Sequence, residues 1–244
     1  MGGFAETAWQ TVRQLWQPVC LMCGQWLRAG CQPPALCHYC LQSLPWITQP
    51  CRSCALPAAQ CVCSSLPEAP FTVAICPLRY QSHTARWVLR SKRRGGLPEA
   101  RLRGSLLAMA VADSYGSEAD DGDTEQLPDL LLPVPLSRRR TLQRGHNQAA
   151  WIAAEVAATL KLPVNVRDLV RRRHSGIQPG LSPQQRHLNV ADAFACARRF
   201  DRHHVALIDD VMTSGATAAA AARCLLEAGC ARVDVWCATR AQPS

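Results

Sequence analysis

Past about residue 70 the chain alternates short unbroken apolar runs with longer amphipathic ones. FTVAICPLRY at 71–80, DLLLPVPL at 129–136, VALI at 205–208 and the run at 232–239 read as strands. The run at 205–208 is apolar at successive positions rather than at every second one, which predicts a strand covered on both faces, and 129–136 reads as a second buried strand. Between them the apolar spacing is helical over 82–111, with an interruption at 92–98, over 148–160, and over the alanine-rich 218–227, which Gly229 stops. Strands alternating with helices predict an α/β domain whose parallel sheet is flanked by helices. Residues 166–199 are irregular and basic, and read either as a flap over a site or as a surface hairpin. Residues 117–126 carry five acids and read as a surface loop.

The first 68 residues are built differently. Ala8, Trp9, Val12, Leu15 and Trp16 share one helical face, a cap for the cysteine-rich stretch after it or a docking helix. Cysteines then replace large aliphatics. No apolar run approaches a membrane helix in length, and the start lacks the basic and apolar regions of a signal peptide, so a cytoplasmic protein is expected. The expected division is 1–68, helix and cysteine module, and 69–244, the α/β domain.

Fourteen cysteines in such a chain call for an explanation other than disulfides. Ten lie between Cys20 and Cys76. Cys20 and Cys23, Cys37 and Cys40, and Cys51 and Cys54 are CxxC pairs, and Cys61 and Cys63 form a tighter one. Two intervening residues let both thiolates reach one tetrahedral ion from a small turn. Eight ligands suffice for two structural Zn²⁺ sites, partitioned sequentially as 20/23/37/40 and 51/54/61/63 or interleaved, with Cys31 and His38 as spare donors. A proline-rich segment with few large aliphatics needs such a staple to fold. Cys196, Cys224, Cys230 and Cys237 sit in apolar or helical surroundings and read as small core residues or inert thiols.

The strand at 205–208 runs into Asp209 and Asp210, then into Thr213-Ser214-Gly215-Ala216-Thr217 and a helix. A strand–loop–helix junction of this kind points backbone N–H groups and the helix dipole at one spot, which suits a phosphate monoester. Gly215 permits close approach, and the Thr and Ser hydroxyls add donors. Carboxylates beside a phosphate would repel it unless they face sugar hydroxyls or a divalent cation. Phosphate, diol and Mg²⁺ together suggest a phosphorylated ribose. The strand at 129–136 opens into Ser137-Arg138-Arg139-Arg140 and Arg144-Gly145-His146-Asn147-Gln148, a second anion site at the same sheet edge. The formal charge of +9 suits an anionic partner. Lys92, Arg93 and Arg94, and Arg171, Arg172 and Arg173, are either contacts for pyrophosphate or a nucleic-acid backbone, or solvated basic turns.

The 205–217 segment resembles the binding loop of the type I phosphoribosyltransferases, which hold 5-phosphoribosyl-1-pyrophosphate (PRPP). Taken with the cysteine pairs, Val134-Pro135-Leu136, Arg144-Gly145-x-Asn147-Gln148, Gln178, Leu181-Ser182, Arg186, Asn189 and Ala193-Phe194, the whole chain from Cys20 onward resembles the ComF/GntX family. The resemblance implies a zinc-binding module fused to a phosphoribosyltransferase fold. It implies that Asp209 and Asp210 are the catalytic acids and meet the ribose hydroxyls, that Thr213, Ser214, Gly215, Ala216 and Thr217 wrap the 5-phosphate, and that Arg144 and Arg138 neutralise the leaving pyrophosphate with Mg²⁺. It further implies a role in DNA uptake during natural transformation or in DNA utilisation, with single-stranded DNA and a competence helicase as partners. The alternative it leaves open is an inactive DNA-binding or adaptor protein on the same fold. Two positions depart from the pattern: His146 stands where the family has an aromatic residue, and Arg90 where it has a lysine. In purine-salvage relatives of the fold an Asp follows the acid pair and acts near the base; Thr213 occupies the matching position, which disfavours purine salvage.

Overall fold

The computed structural model describes residues 19–27, 35–61, 63, 69–116, 126–172 and 193–242. All but Val19 of the helical stretch expected at 6–19, most of the acidic loop, Cys31, Arg173 and the stretch holding Gln178, Leu181-Ser182, Arg186 and Asn189 lie outside these residues. The chain divides into two compact units, Met1–Leu44 and Pro45–Ser244. The division falls before the second group of cysteines, whereas the sequence suggested 68/69.

In the first unit an antiparallel bridge from Val19 to Trp26 closes a tight turn. Gly24 takes φ +76 there, a left-handed conformation that glycine adopts without strain. Helix α1, His38–Gln42, starts at Cys37.

The second unit is a parallel α/β layer structure. Strands β1 (Ala74–Ile75), β3 (Leu130–Pro133), β6 (His204–Asp209) and β7 (Arg232–Cys237) form one sheet in the order β1-β7-β6-β3, every pair parallel. The single strand expected at 71–80 is two, because Pro77 lacks an N–H and interrupts the ladder. The continuation β2 (Leu78–Arg79) pairs with β8 (Thr239–Arg240). Strands β4 (Leu169–Arg171) and β5 (Phe194–Cys196) make an antiparallel pair within the stretch read as a flap or a surface hairpin.

Helices α2 (Ser82–Ser91), α3 (Leu97–Gly116), α4 (Arg138–Arg144), α5 (Gln148–Leu160) and α6 (Ala216–Glu227) complete the unit. The unbroken apolar strands are buried on both faces, as their pattern requires. Val205 and Leu207 of β6 pack with Ala218, Ala221 and Leu225 of α6. Ala206 and Ile208 face the other way, onto Leu107 and Val111 of α3 and Ile152 and Val156 of α5. Gly104 allows α3 and α5 to meet closely; a Cβ there would stand 2.6 Å from Cβ of Glu155. At the sheet's amino-terminal end the buried Asp234 carboxylate accepts from Tyr115 Oη and pairs with His204 Nε2, each at 2.6 Å, and also with Arg232. Burial opposes its ionisation, but these partners outweigh burial and hold it below the usual carboxylate range.

Cys230 and Cys237 are core residues, while Cys196 and Cys224 are half-buried with their sulfurs 3.4 Å apart. Among the described residues no helix is long and apolar enough to cross a membrane.

Candidate functional site: an acid pair and anion loop at the sheet edge, with two cysteine clusters

The central strand β6 delivers Asp209 and Asp210 to the carboxyl-terminal edge of the sheet, both half-buried. Asp210 N donates to Asp209 Oδ1 at 2.7 Å. Burial and the neighbouring Asp210 charge push Asp209 well above the usual carboxylate range, against the pull of Arg171. Two carboxylates held this close favour a cation or hydroxyl donors between them. The chain then turns through Met212, which bridges to Arg240 of β8, and reaches Gly215 at φ +77, the N-cap of α6. Thr213 and Ser214 are exposed, and Gly215, Ala216 and Thr217 are half-buried. First-turn N–H groups have no partner within their own helix, so this junction offers donors to an anion.

On the β3 side, Asn147 fixes the second loop. Its Nδ2 donates to Val134 O at 3.0 Å, and its Oδ1 accepts from Ala149 N as the N-cap of α5. His146 lies flat on Trp151, with centroids 3.9 Å apart, and Nε2 donates to Ser91 O at 2.8 Å. His146 therefore ties the loop to the end of α2, beside Lys92, Arg93 and Arg94. Arg144 Nη1 donates to Gln148 Oε1 at 3.3 Å, and Arg138 is exposed at the start of α4. Arg171, expected among nucleic-acid contacts, is close enough to Asp209 and to Arg140 for their charges to act on it. It also stands over the Phe194 ring, 5.4 Å from the centroid. Arg172 follows it and is exposed.

Sequence reasoning missed Arg103. Fully buried on α3, it donates to Ser91 Oγ at 2.7 Å and to Asp210 O at 3.4 Å. Burial lowers its pKa, while Asp210, Asp209 and Glu99 favour the charged form. The signal was available: an arginine within the apolar stripe of Ala100, Leu106 and Leu107. Arg90 pairs with the buried Glu99, Nε to Oε1 3.1 Å.

The cysteines gather sequentially, as Cys20, Cys23, Cys37 and Cys40 and as Cys51, Cys54, Cys61 and Cys63, the ligand atoms of each set within 4.8 Å of one another. Sulfurs bound to one tetrahedral Zn²⁺ at about 2.3 Å stand roughly 3.8 Å apart. Cys23 and Cys37 are 3.8 Å apart, Cys54 and Cys61 3.8 Å, Cys51 and Cys63 3.7 Å, and Cys51 and Cys61 3.4 Å. Burial opposes ionisation of Cys20, but backbone N–H groups of Cys23, Cys37 and Met22 bring it down to about 6. The same balance brings Cys51 to about 7. Cys40 and Cys63 are pushed up, by burial first and then by neighbouring thiols. The donor set fits zinc, whose charge would relieve that crowding. A single 3₁₀ turn, Ala58–Gln60, ends at Cys61.

The parallel sheet, the acid pair at its edge and the two cysteine clusters define a protein with a parallel α/β layer and cysteine knuckles suited to zinc. A sequence 30% identical over 84% of this chain and 90% of its own length is DNA utilization protein YhgH of Salmonella typhimurium. Another, 29% identical over 88% of this chain and 90% of its own length, is Competence protein F of Haemophilus influenzae. The chain belongs to the ComF family of competence and DNA-utilization proteins. No family model matches it. Among solved structures it is similar to the glutamine PRPP amidotransferase from B. subtilis, at 19% identity and TM-score 0.40, over 64% of this chain and 30% of that one.

Proposed function

We propose that the chain binds PRPP, or another ribose 5-phosphate, where β6 meets α6, and transfers the phosphoribosyl group during DNA uptake or DNA utilisation. The observation that carries the reading is the half-buried Asp209–Asp210 pair set directly before a glycine-turned loop at a helix N-terminus, with Arg171 in charge reach. Asp209 and Asp210 accept hydrogen bonds from the ribose hydroxyls. Backbone N–H groups of 215–217 and the Thr213, Ser214 and Thr217 hydroxyls donate to the 5-phosphate. The bond from ribose C1 to pyrophosphate oxygen breaks with its electron pair leaving on pyrophosphate, and an acceptor lone pair forms the new bond to C1. Positive charge on the ribose is stabilised by the acid pair, and negative charge on the leaving group by Arg138, Arg144, Arg140 and Arg171. Asp209 and Asp210 would help to hold a Mg²⁺ ion brought in with PRPP, which would supply further neutralisation of the leaving group. The double variant Asp209→Asn, Asp210→Asn, folded by circular dichroism, is expected to lose PRPP binding in calorimetry. Unchanged affinity would remove these residues from the site.

A second reading, single-stranded DNA binding, is supported by the exposed arginines 138–140 of α4 and the exposed Arg93 and Arg94. It expects oligonucleotide affinity to fall steeply with salt. Affinity indifferent to salt would dismiss it.

A further inference from the structure

Arg240 holds the phosphate loop and the second cysteine cluster at once. It is 4% exposed. Its Nε donates to Cys54 O at 2.7 Å. Its Nη1 donates to Met212 O at 3.0 Å, to Ala241 O and to Thr213 O. Among the described residues no carboxylate pairs with it. A buried guanidinium solvated only by neutral carbonyls lacks a counter-charge, and burying a charge without one is costly. Two anions are available on either side. Cys54 offers its carbonyl to Arg240 and its thiol to the metal cluster, and zinc with four thiolates is net negative. Met212 and Thr213 lead directly into the loop read as the phosphate cradle. A crevice of about 330 Å³ is bordered by both, with Cys54, Cys63, Ser214, Gly215 and Arg240 on its walls.

We propose that Arg240 is a positioning residue that couples metal occupancy of the Cys51, Cys54, Cys61 and Cys63 cluster to the affinity of the 213–217 loop for a phosphate ester. Filling the cluster fixes the Cys54 carbonyl, which fixes the guanidinium, which fixes the Met212 and Thr213 carbonyls and hence the direction of the donors beyond them. The coupling rests on reading this loop as the ribose-phosphate site. It is reciprocal by thermodynamic necessity: the phosphate ester must tighten zinc as zinc tightens the ester.

The test uses the full chain and ribose 5-phosphate as the probe. Zinc release to a chromogenic chelator is followed with and without the probe; the phase belonging to the second cluster is the one missing in the Cys61→Ser, Cys63→Ser variant. The probe is expected to slow that phase in the wild type, and the double cysteine variant to bind the probe about tenfold more weakly. Arg240→Gln is expected to uncouple the two measurements, and Arg240→Lys, which keeps the charge but not the planar fork, to restore part of the link. A merely structural arginine would alter stability without making zinc release respond to a sugar phosphate. If Arg240→Gln does not fold, the wild-type linkage alone decides the coupling. Probe binding that is equal with and without zinc at the second cluster overturns the coupling and leaves the ribose-phosphate reading standing. A link that survives in folded Arg240→Gln overturns the role of Arg240. No binding of the probe in any form overturns both.

Discussion

Asp209 is a carboxyl whose ionised form is disfavoured in the folded chain. Its carboxyl is held well above the usual carboxylate range, first by burial and then by Asp210. Between the unfolded and folded values the native state keeps a proton that the unfolded chain has lost. The stability this group contributes is therefore present at low pH and declines as pH rises from the ordinary carboxylate range into the raised one. Asp209→Asn is expected to remove that decline, to stabilise the ligand-free protein near neutral pH by about 1 kcal/mol, and to abolish PRPP binding. Urea denaturation at several pH values reads the first two effects. Arg103 is the opposite case, a buried cation whose loss leaves the acid pair less compensated. Arg103→Met is expected to lower stability by roughly 3 kcal/mol, seen as a lower urea midpoint with an unchanged slope.

At the scale of elements, the junction of β6 and α6 is where local conformation and chemistry coincide. Gly215 has φ +77, and a Cβ there would meet Met212 Cε at 3.1 Å. Gly215→Ala is expected to cost about 1–2 kcal/mol and to weaken PRPP binding. Gly145, also left-handed but with open space around a would-be Cβ, makes the comparison. Gly145→Ala is expected to show the backbone penalty without disturbing the loop of α6. Much of this element structure was legible. The continuous apolar run at 205–208 announced a strand buried on both faces, the apolar period over 148–160 gave α5 its bounds, and the apolar run, acid pair and small-residue loop gave the junction. The pairing of distant polar groups was not legible. Arg103 stands out as a charge within an apolar stripe, but nothing local names its partners Ser91 and Asp210, and nothing local reveals that Arg240 is held by the carbonyls of Cys54, Met212 and Thr213 far back along the chain. Arg171 read as one of a basic run, because only the β4–β5 pairing turns it toward Asp209.

Across the molecule, the second cysteine cluster is built into the unit that carries the sheet. Arg52 O accepts from Ala74 N at 2.6 Å next to β1, and Ala55 packs into the same apolar layer as β6 and α6. Composition suggested a boundary at 68/69 because cysteines and prolines end there; contacts place it at 44/45, since residues 46–57 pack and bond to β1, β2 and β8. Removing zinc from the second cluster, by the Cys61→Ser, Cys63→Ser pair, is accordingly expected to lower the melting temperature of the sheet-bearing unit. A differential scan in which that transition stays put would show that the cluster contributes nothing to the fold around it.

The central claim is that the loop after β6 holds a phosphorylated ribose. Calorimetric titration of the zinc-loaded protein with PRPP and Mg²⁺, beside AMP and a 5′-phosphorylated oligonucleotide, tests it most directly. The account predicts saturable PRPP binding that the Asp209→Asn, Asp210→Asn variant loses. Oligonucleotide binding without any PRPP binding would contradict it, and would make this a DNA-handling protein in which the loop survives only as architecture.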